Sequence, residues 1–232
     1  MSKTAFIFPG QGSQSLGMLS EFAERPAVKQ TFQEASGALD QDLWALAQEG
    51  PKEALNQTEI TQPLLLTAGV ALWRLWEQSG GPRPNVLAGH SLGEYSALTC
   101  AGVINLGDAV RLVRTRGQLM QKAVGQGEGS MAAILGLDQM TLEEISRETG
   151  TYISNINTPE QIVISGDRMG VARAMDLATA RGAKKVIPLR VGGAFHSGLM
   201  EPARAGLVEA IEELELKDPR LPIIANCTGT PM

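Results

Sequence analysis

Residues 86–98 read VLAGHSLGEYSAL. The apolar run VLAG breaks at a glycine. A serine follows two residues later, then a second glycine, then a helix-compatible run of small and apolar residues. Gly89-His90-Ser91-Leu92-Gly93 therefore fits G-x-S-x-G in the strand–turn–helix setting of a nucleophile elbow. In such a turn the serine backbone is strained, and the glycines leave room for strand and helix to approach. The hydroxyl then stands at a helix N-terminus, and the Leu92 N–H becomes available as an oxyanion donor. The competing reading is a glycine-rich turn without chemical consequence.

A serine hydroxyl is a weak nucleophile until a base takes its proton. The chain holds two histidines. His90 adjoins Ser91, but adjacent side chains diverge in a sharp turn. His90 is expected to lie against a neighbouring strand or helix. His196, in GGAFHSGLM, follows a strand and a Gly-Gly loop and is the candidate base. Its plain alternative is a loop histidine bonded to backbone. No acid lies close to His196 before Glu201. Asp167 and Asp176 fall between Ser91 and His196, but in a segment of different character. A Ser–His dyad is expected, oriented by something other than a carboxylate of this chain.

That segment is residues 126–192. GSMAAILGL, TYISNIN, QIVISG and AKKVIPLRV read as strands. TLEEISRETG and DRMGVARAMDLATARG read as helices closed by glycine. The order β-α-β-β-α-β is the ferredoxin-like pattern. It interrupts a larger α/β domain assigned to residues 1–125 and 193–232. That domain contains the strand in TAFIFPGQGSQ, a helical region over 21–57, the helix in TQPLLLTAGVALWRLWEQSG, the elbow, a helix over 108–124, another over 202–215, and the strand LPIIAN.

The chain of 232 residues carries a formal net charge of −5. Bulk charge thus offers nothing to nucleic acid. Two cysteines, Cys100 and Cys227, are too few for a disulfide framework or a metal cluster, and both are expected to pack as small apolar groups. The N-terminus lacks the pattern of a signal peptide, and no run of about 18 apolar residues suggests a membrane span. A soluble, cytoplasmic, monomeric protein with no metal and no bound cofactor is expected. Arg181, Lys184 and Lys185 form a small basic patch, read first as solvated.

The helix over 108–124 carries the second clue. Ala109, Leu112, Val113, Leu119, Met120 and Ala123 form one apolar stripe, and Arg116 occupies the middle of it. Arg111 and Arg114 fall outside the stripe. A buried guanidinium has to be paired. Two partners are open: an acid from another element, or a substrate carboxylate gripped by the planar fork. The second would make this a serine acyl transfer involving an acyl group with a free carboxylate.

Several motifs occur together and in order: FPGQGSQ at 8–14, TQP at 61–63, GHSLGE at 89–94, Arg116-Gly117, NTP at 157–159 with QIVISG, and GAFH at 193–196. By these the chain resembles the malonyl-CoA:acyl carrier protein transacylases and the related acyltransferase units of polyketide synthases. The resemblance runs over essentially the whole chain. It implies an α/β-hydrolase-like core with the ferredoxin-like insert. It implies Ser91 as nucleophile, His196 as base, and the backbone N–H groups of Gln11 and Leu92 as the oxyanion hole. Arg116 would clamp the malonyl carboxylate, with Gln62, Met120 and Asn157 lining the pocket and Phe195 crowding an α-methyl branch. The reaction would be ping-pong, with malonyl-CoA as donor and the phosphopantetheine thiol of an acyl carrier protein as acceptor, in fatty-acid or polyketide synthesis. Family members continue beyond NCTGTPM, so a C-terminally truncated, weakly active chain is expected, lacking the backbone carbonyl that orients the histidine. A serine esterase and a non-catalytic carrier-binding module are the competing readings.

Overall fold

The computed structural model describes residues 3–125, 128–189 and 191–232. In chain order the elements are β1 (Ala5–Phe8), α1 (Pro26–Leu39), α2 (Leu43–Glu49), α3 (Thr58–Gln78), β2 (Val86–Gly89), α4 (Leu92–Cys100), α5 (Leu106–Ala123), β3 (Gly129–Leu135), α6 (Gln139–Thr149), β4 (Tyr152–Thr158), β5 (Gln161–Asp167), α7 (Arg168–Ala180), β6 (Lys185–Pro188), α8 (Glu201–Glu212) and β7 (Ile223–Ile224). The protein is mixed α/β, with one parallel and one antiparallel sheet. Two compact units divide the chain. One is Met1–Gly117 with Glu209–Met232, and the other is Gln118–Val208.

In the first unit the strand order is β1-β2-β7, all parallel. Phe6 meets Trp73 and Trp76 of α3 edge-to-face, at ring-centroid distances of 5.4 and 5.3 Å. Phe8 is buried beside Gly69 of the same helix. The strand register gathers three chain segments at one end of the sheet. Phe8 pairs with Gly89, and Ala88 pairs with Ile224. The residues after Phe8, Gly89 and Ile224 therefore leave the sheet side by side. That end, beyond the carboxyl ends of parallel strands, is where open α/β sheets place their ligand sites.

The strand expected over LPIIAN is short, only Ile223–Ile224. Pro222 has no N–H to donate, although its carbonyl still accepts from Leu87. The helical region expected over 21–57 is also broken up. Asp40 turns left-handed at φ 50°, Asp42 caps α2 by accepting from the Ala45 N–H at 2.9 Å, and Gly50 closes it at φ 81°.

In the second unit the strand order is β4-β5-β3-β6, with every neighbouring pair antiparallel. This is the arrangement the β-α-β-β-α-β order calls for. Ala132, Ile134, Ile162 and Ile164 face Leu142 and Ile145 of α6 and Val171, Ala174 and Ala178 of α7. The alternate residues Met131, Ala133 and Val163 cluster with Met120 and Phe195. Both faces of the sheet are apolar, which is why GSMAAILGL alternates so poorly. The compact unit is wider than the span 126–192 read from the strands, because Met120 and Phe195 cover the second face. The basic patch is largely consumed within this unit. Arg181 pairs with Glu144 and Glu148, and Lys184 with Glu160.

Among the described residues no helix is long and apolar enough to cross a membrane, and no group of acids, histidines and cysteines could hold a metal ion. Cys100 is buried, and burial drives its thiol pKa upward. Cys227, contrary to expectation, is exposed in the turn that follows the short β7.

Candidate active site

Ser91 adopts φ 53° and ψ −104°. A side chain tolerates that backbone only where surrounding structure enforces it. Part of the enforcement comes from glycine. A Cβ on Gly89 would overlap the Gly93 carbonyl, and a Cβ on Gly93 would overlap the Phe8 carbonyl. The turn is then closed by hydrogen bonds: His90 N–H to Phe8 at 3.0 Å, Gly93 N–H to His90 at 2.9 Å, and Glu94 N–H to Ser91 at 3.1 Å. Leu92, fully buried, opens α4, so its N–H belongs to the first turn, whose donors lack intrahelical partners.

Asn226 supplies the rest. Its Oδ1 accepts from the Ser91 N–H at 2.8 Å, and its Nδ2 donates to the Gly89 carbonyl at 2.6 Å. Its own N–H donates to Glu94 Oε1 at 3.1 Å. The side-chain amide therefore staples the strand end to the strained serine, and the backbone N–H of the same residue ties on the helix start. Asn226→Ala is expected to destabilise this chain by about 1–3 kcal/mol, since two elbow groups lose their partner. Urea unfolding of the variant beside the parent measures it.

His90 is exposed rather than packed on a strand or helix. Its Nδ1 lies against the backbone at Gly10, where a Cβ would come within 2.8 Å of it. Gly10 thus lets the FPGQG turn fold over the elbow.

Arg116 is 8% exposed, in line with its stripe partners Ala109, Leu112, Val113 and Met120. Nη1 donates to Gln62 Oε1 at 2.7 Å, and Nη2 donates to Ser91 Oγ at 3.1 Å. The guanidinium stands 5.3 Å from the Tyr95 ring centroid. Burial pulls its pKa below the ordinary value, against an upward pull from Tyr95 and Glu94, and a guanidinium so shifted stays charged. Among the described residues no acid lies within ion-pair distance of it. Among the described residues, its hydrogen-bond partners are instead the neutral Gln62 and Ser91 side chains. Gly117 explains the adjacent glycine: a Cβ there would come within 2.7 Å of the Glu59 backbone. Its absence lets α5 lie against the start of α3, where Gln62 sits.

Gln11 joins the same network. Its Oε1 accepts from Thr58 Oγ1 at 2.9 Å, and Thr58 Oγ1 in turn accepts from Gln62 Nε2 at 2.8 Å. The first unit thus brings Gln11, Gln62, Ser91, Leu92 and Arg116 together.

The second unit holds the other candidates. His196 is exposed at φ 57°. Ser197 Oγ donates to the Ala194 carbonyl at 2.6 Å, and Ser154 Oγ donates to the Phe195 carbonyl at 3.1 Å, fixing the turn around it. Only four described non-glycine residues have positive φ, and Ser91 and His196 are two of them. Such strain gathers at functional positions. Met120 and Phe195 are buried in one cluster. Asn157 is exposed near the end of β4, its amide donating to Gln161 Oε1 at 3.4 Å.

Three members of the site carry little or no signal in the sequence: Asn226, Thr58 and Tyr95. Asn226 is detectable only through the parallel register, which puts the residue after IIA beside the residue after GH. Tyr95 and Thr58 carry a weak signal, each lying four residues or fewer from a motif residue on the same helix.

A strained serine at a strand–helix junction, beside the Leu92 N–H and a buried cation without an acid partner among the described residues, is a candidate serine acyltransferase site. The chain belongs to the acyl transferase domain family, which matches residues 5–232. It is 52% identical over 231 residues to the malonyl CoA-acyl carrier protein transacylase of Salmonella typhimurium, covering 97% of this chain and 75% of that protein. The solved malonyl CoA-acyl carrier protein transacylase of Coxiella burnetii superposes with a TM-score of 0.98 at 47% identity, covering 100% of this chain and 75% of that one. A malonyl-transacylase solved in complex with its type II PKS acyl-carrier protein gives 0.97 at 48% identity, with 100% and 76% covered.

Proposed function

We propose that this chain transfers a malonyl group from malonyl-CoA to the phosphopantetheine thiol of an acyl carrier protein, through a malonyl ester on Ser91. The observation that carries the reading is Arg116. A buried guanidinium with no acid partner among the described residues already touches the hydroxyl that would be acylated. A malonyl group on that oxygen carries its free carboxylate a few bonds away, within reach of the same fork. The names of the similar proteins support the same donor and acceptor.

In this mechanism His196 takes the Ser91 proton as Oγ attacks the thioester carbonyl. The N–H groups of Gln11 and Leu92 receive the developing oxyanion. The C–S bond breaks, and CoA leaves with the proton from His196. The carrier thiol then gives its proton to His196, attacks the ester, and Ser91 Oγ leaves with that proton. Gln62, Met120, Asn157 and Phe195 line the acyl site, with Phe195 restricting branched acyl groups. The reaction is assigned to fatty-acid or polyketide synthesis, in a cytoplasmic monomer needing no metal or bound cofactor.

An assay with malonyl-CoA, with and without holo carrier protein, tests this reading. Malonyl carrier protein is expected to form much faster than free malonate. Hydrolysis at the same rate with or without carrier protein would identify a thioesterase instead.

A further inference from the structure

We infer that Thr58 is a positioning residue that sets the acyl selectivity of the site through the orientation of the Gln62 amide. The inference rests on the malonyl-transfer reading and goes one residue beyond it. Thr58 acts at one remove from Ser91 and Arg116. Its hydroxyl donates to Gln11 Oε1 at 2.9 Å and accepts from Gln62 Nε2 at 2.8 Å. A hydroxyl has one proton to give. With that proton committed to Gln11, the oxygen can only accept from Gln62, so the NH2 end of the Gln62 amide faces Thr58.

The other end of the amide, Oε1, then faces Arg116 Nη1 at 2.7 Å. A reversed amide would set NH2 against the guanidinium N–H, two donors head to head. Gln62 is fully buried and Thr58 is 3% exposed, so water is poorly placed to relieve that clash. The chain of hydrogen bonds thus runs from the donor-only guanidinium of Arg116 through Gln62 to the Thr58 hydroxyl, which holds the NH2 end of the amide in place and passes the chain on to Gln11. The far end of Arg116 holds Ser91 Oγ at 3.1 Å. Thr58 and Gln62 sit one turn apart on the first turns of α3, and Gly117 lets Arg116 approach them. The hydroxyl therefore links the loop carrying Gln11 to the cation proposed to read the substrate carboxylate.

Thr58→Val keeps the shape and removes the hydroxyl, and Thr58→Ser restores it. The ratio of malonyl to acetyl acylation rates at Ser91, followed by intact mass from malonyl-CoA and acetyl-CoA, is expected to fall about tenfold in the valine variant. The serine variant is expected to return to within about threefold of the parent. A residue important only for stability would slow both acyl groups alike, and an unchanged ratio overturns the inference. A crystal structure of the valine variant gives a second readout. With the acceptor of Gln62 Nε2 at Thr58 removed, Gln62 is expected to draw back from Arg116, and an intact Gln62–Arg116 pair overturns the inference. If the parent itself forms no malonyl-Ser91, the functional reading falls, while the valine structure still decides the role of Thr58.

Discussion

Arg116→Ala is expected to lower kcat/KM for malonyl transfer by about two to three orders of magnitude, the usual cost of removing one partner of a desolvated charge pair. Acetyl transfer is expected to persist or rise. The asymmetry comes from the partners Arg116 has without substrate. They are a glutamine carbonyl, a serine hydroxyl and a tyrosine ring, none of them negatively charged. Malonyl supplies the missing charge, and acetyl supplies none. Arg116→Lys is expected to fall between, because an ammonium cannot hold Gln62 and a carboxylate in one planar fork. Rates with malonyl-CoA and acetyl-CoA as donors, measured side by side, give the answer. Equal loss with both would mean that Arg116 serves only to hold Ser91 or the fold.

Ser91→Ala is expected to remove transfer altogether, by on the order of 10⁴-fold or more, as for other activated serine nucleophiles. The substitution deletes the atom that would carry the acyl group and leaves the hydrogen bond from the Ser91 N–H to Asn226 available. Loss should therefore be chemical rather than structural, and the variant is expected to stay folded, with Arg116 keeping its bond to Gln62. Steady-state transfer to holo carrier protein measures it. Residual turnover near the parent rate would mean direct transfer between the two thiols, without a serine ester.

Much of this site is legible in the sequence, for identifiable reasons. Ser91 announces itself because the close contacts at Gly89 and Gly93 exclude any Cβ, and that demand is written as spacing. Arg116 stands out because helical period exposes a charge on an apolar stripe. The antiparallel unit is readable from its helix stops and strand runs. Asn226 is not readable. Its role depends on β7 pairing with β2 in register, a contact across 135 residues of chain. The Thr58 hydroxyl is hidden for a related reason: its partners come from the FPGQG turn and from its own helix, and only the former is distant in sequence. The position of His90 departs from expectation because the glycine that accommodates it, Gly10, belongs to another strand end. Cys227 departs because β7 is only two residues long and leaves it in a turn.

The most direct test of the account is a single incubation of the chain with malonyl-CoA and no acceptor, quenched in acid and read by intact mass with peptide mapping. One malonyl group per chain, located on Ser91 and discharged when holo carrier protein is added, is the predicted result. No adduct, or an adduct that maps elsewhere and survives in Ser91→Ala, would contradict it.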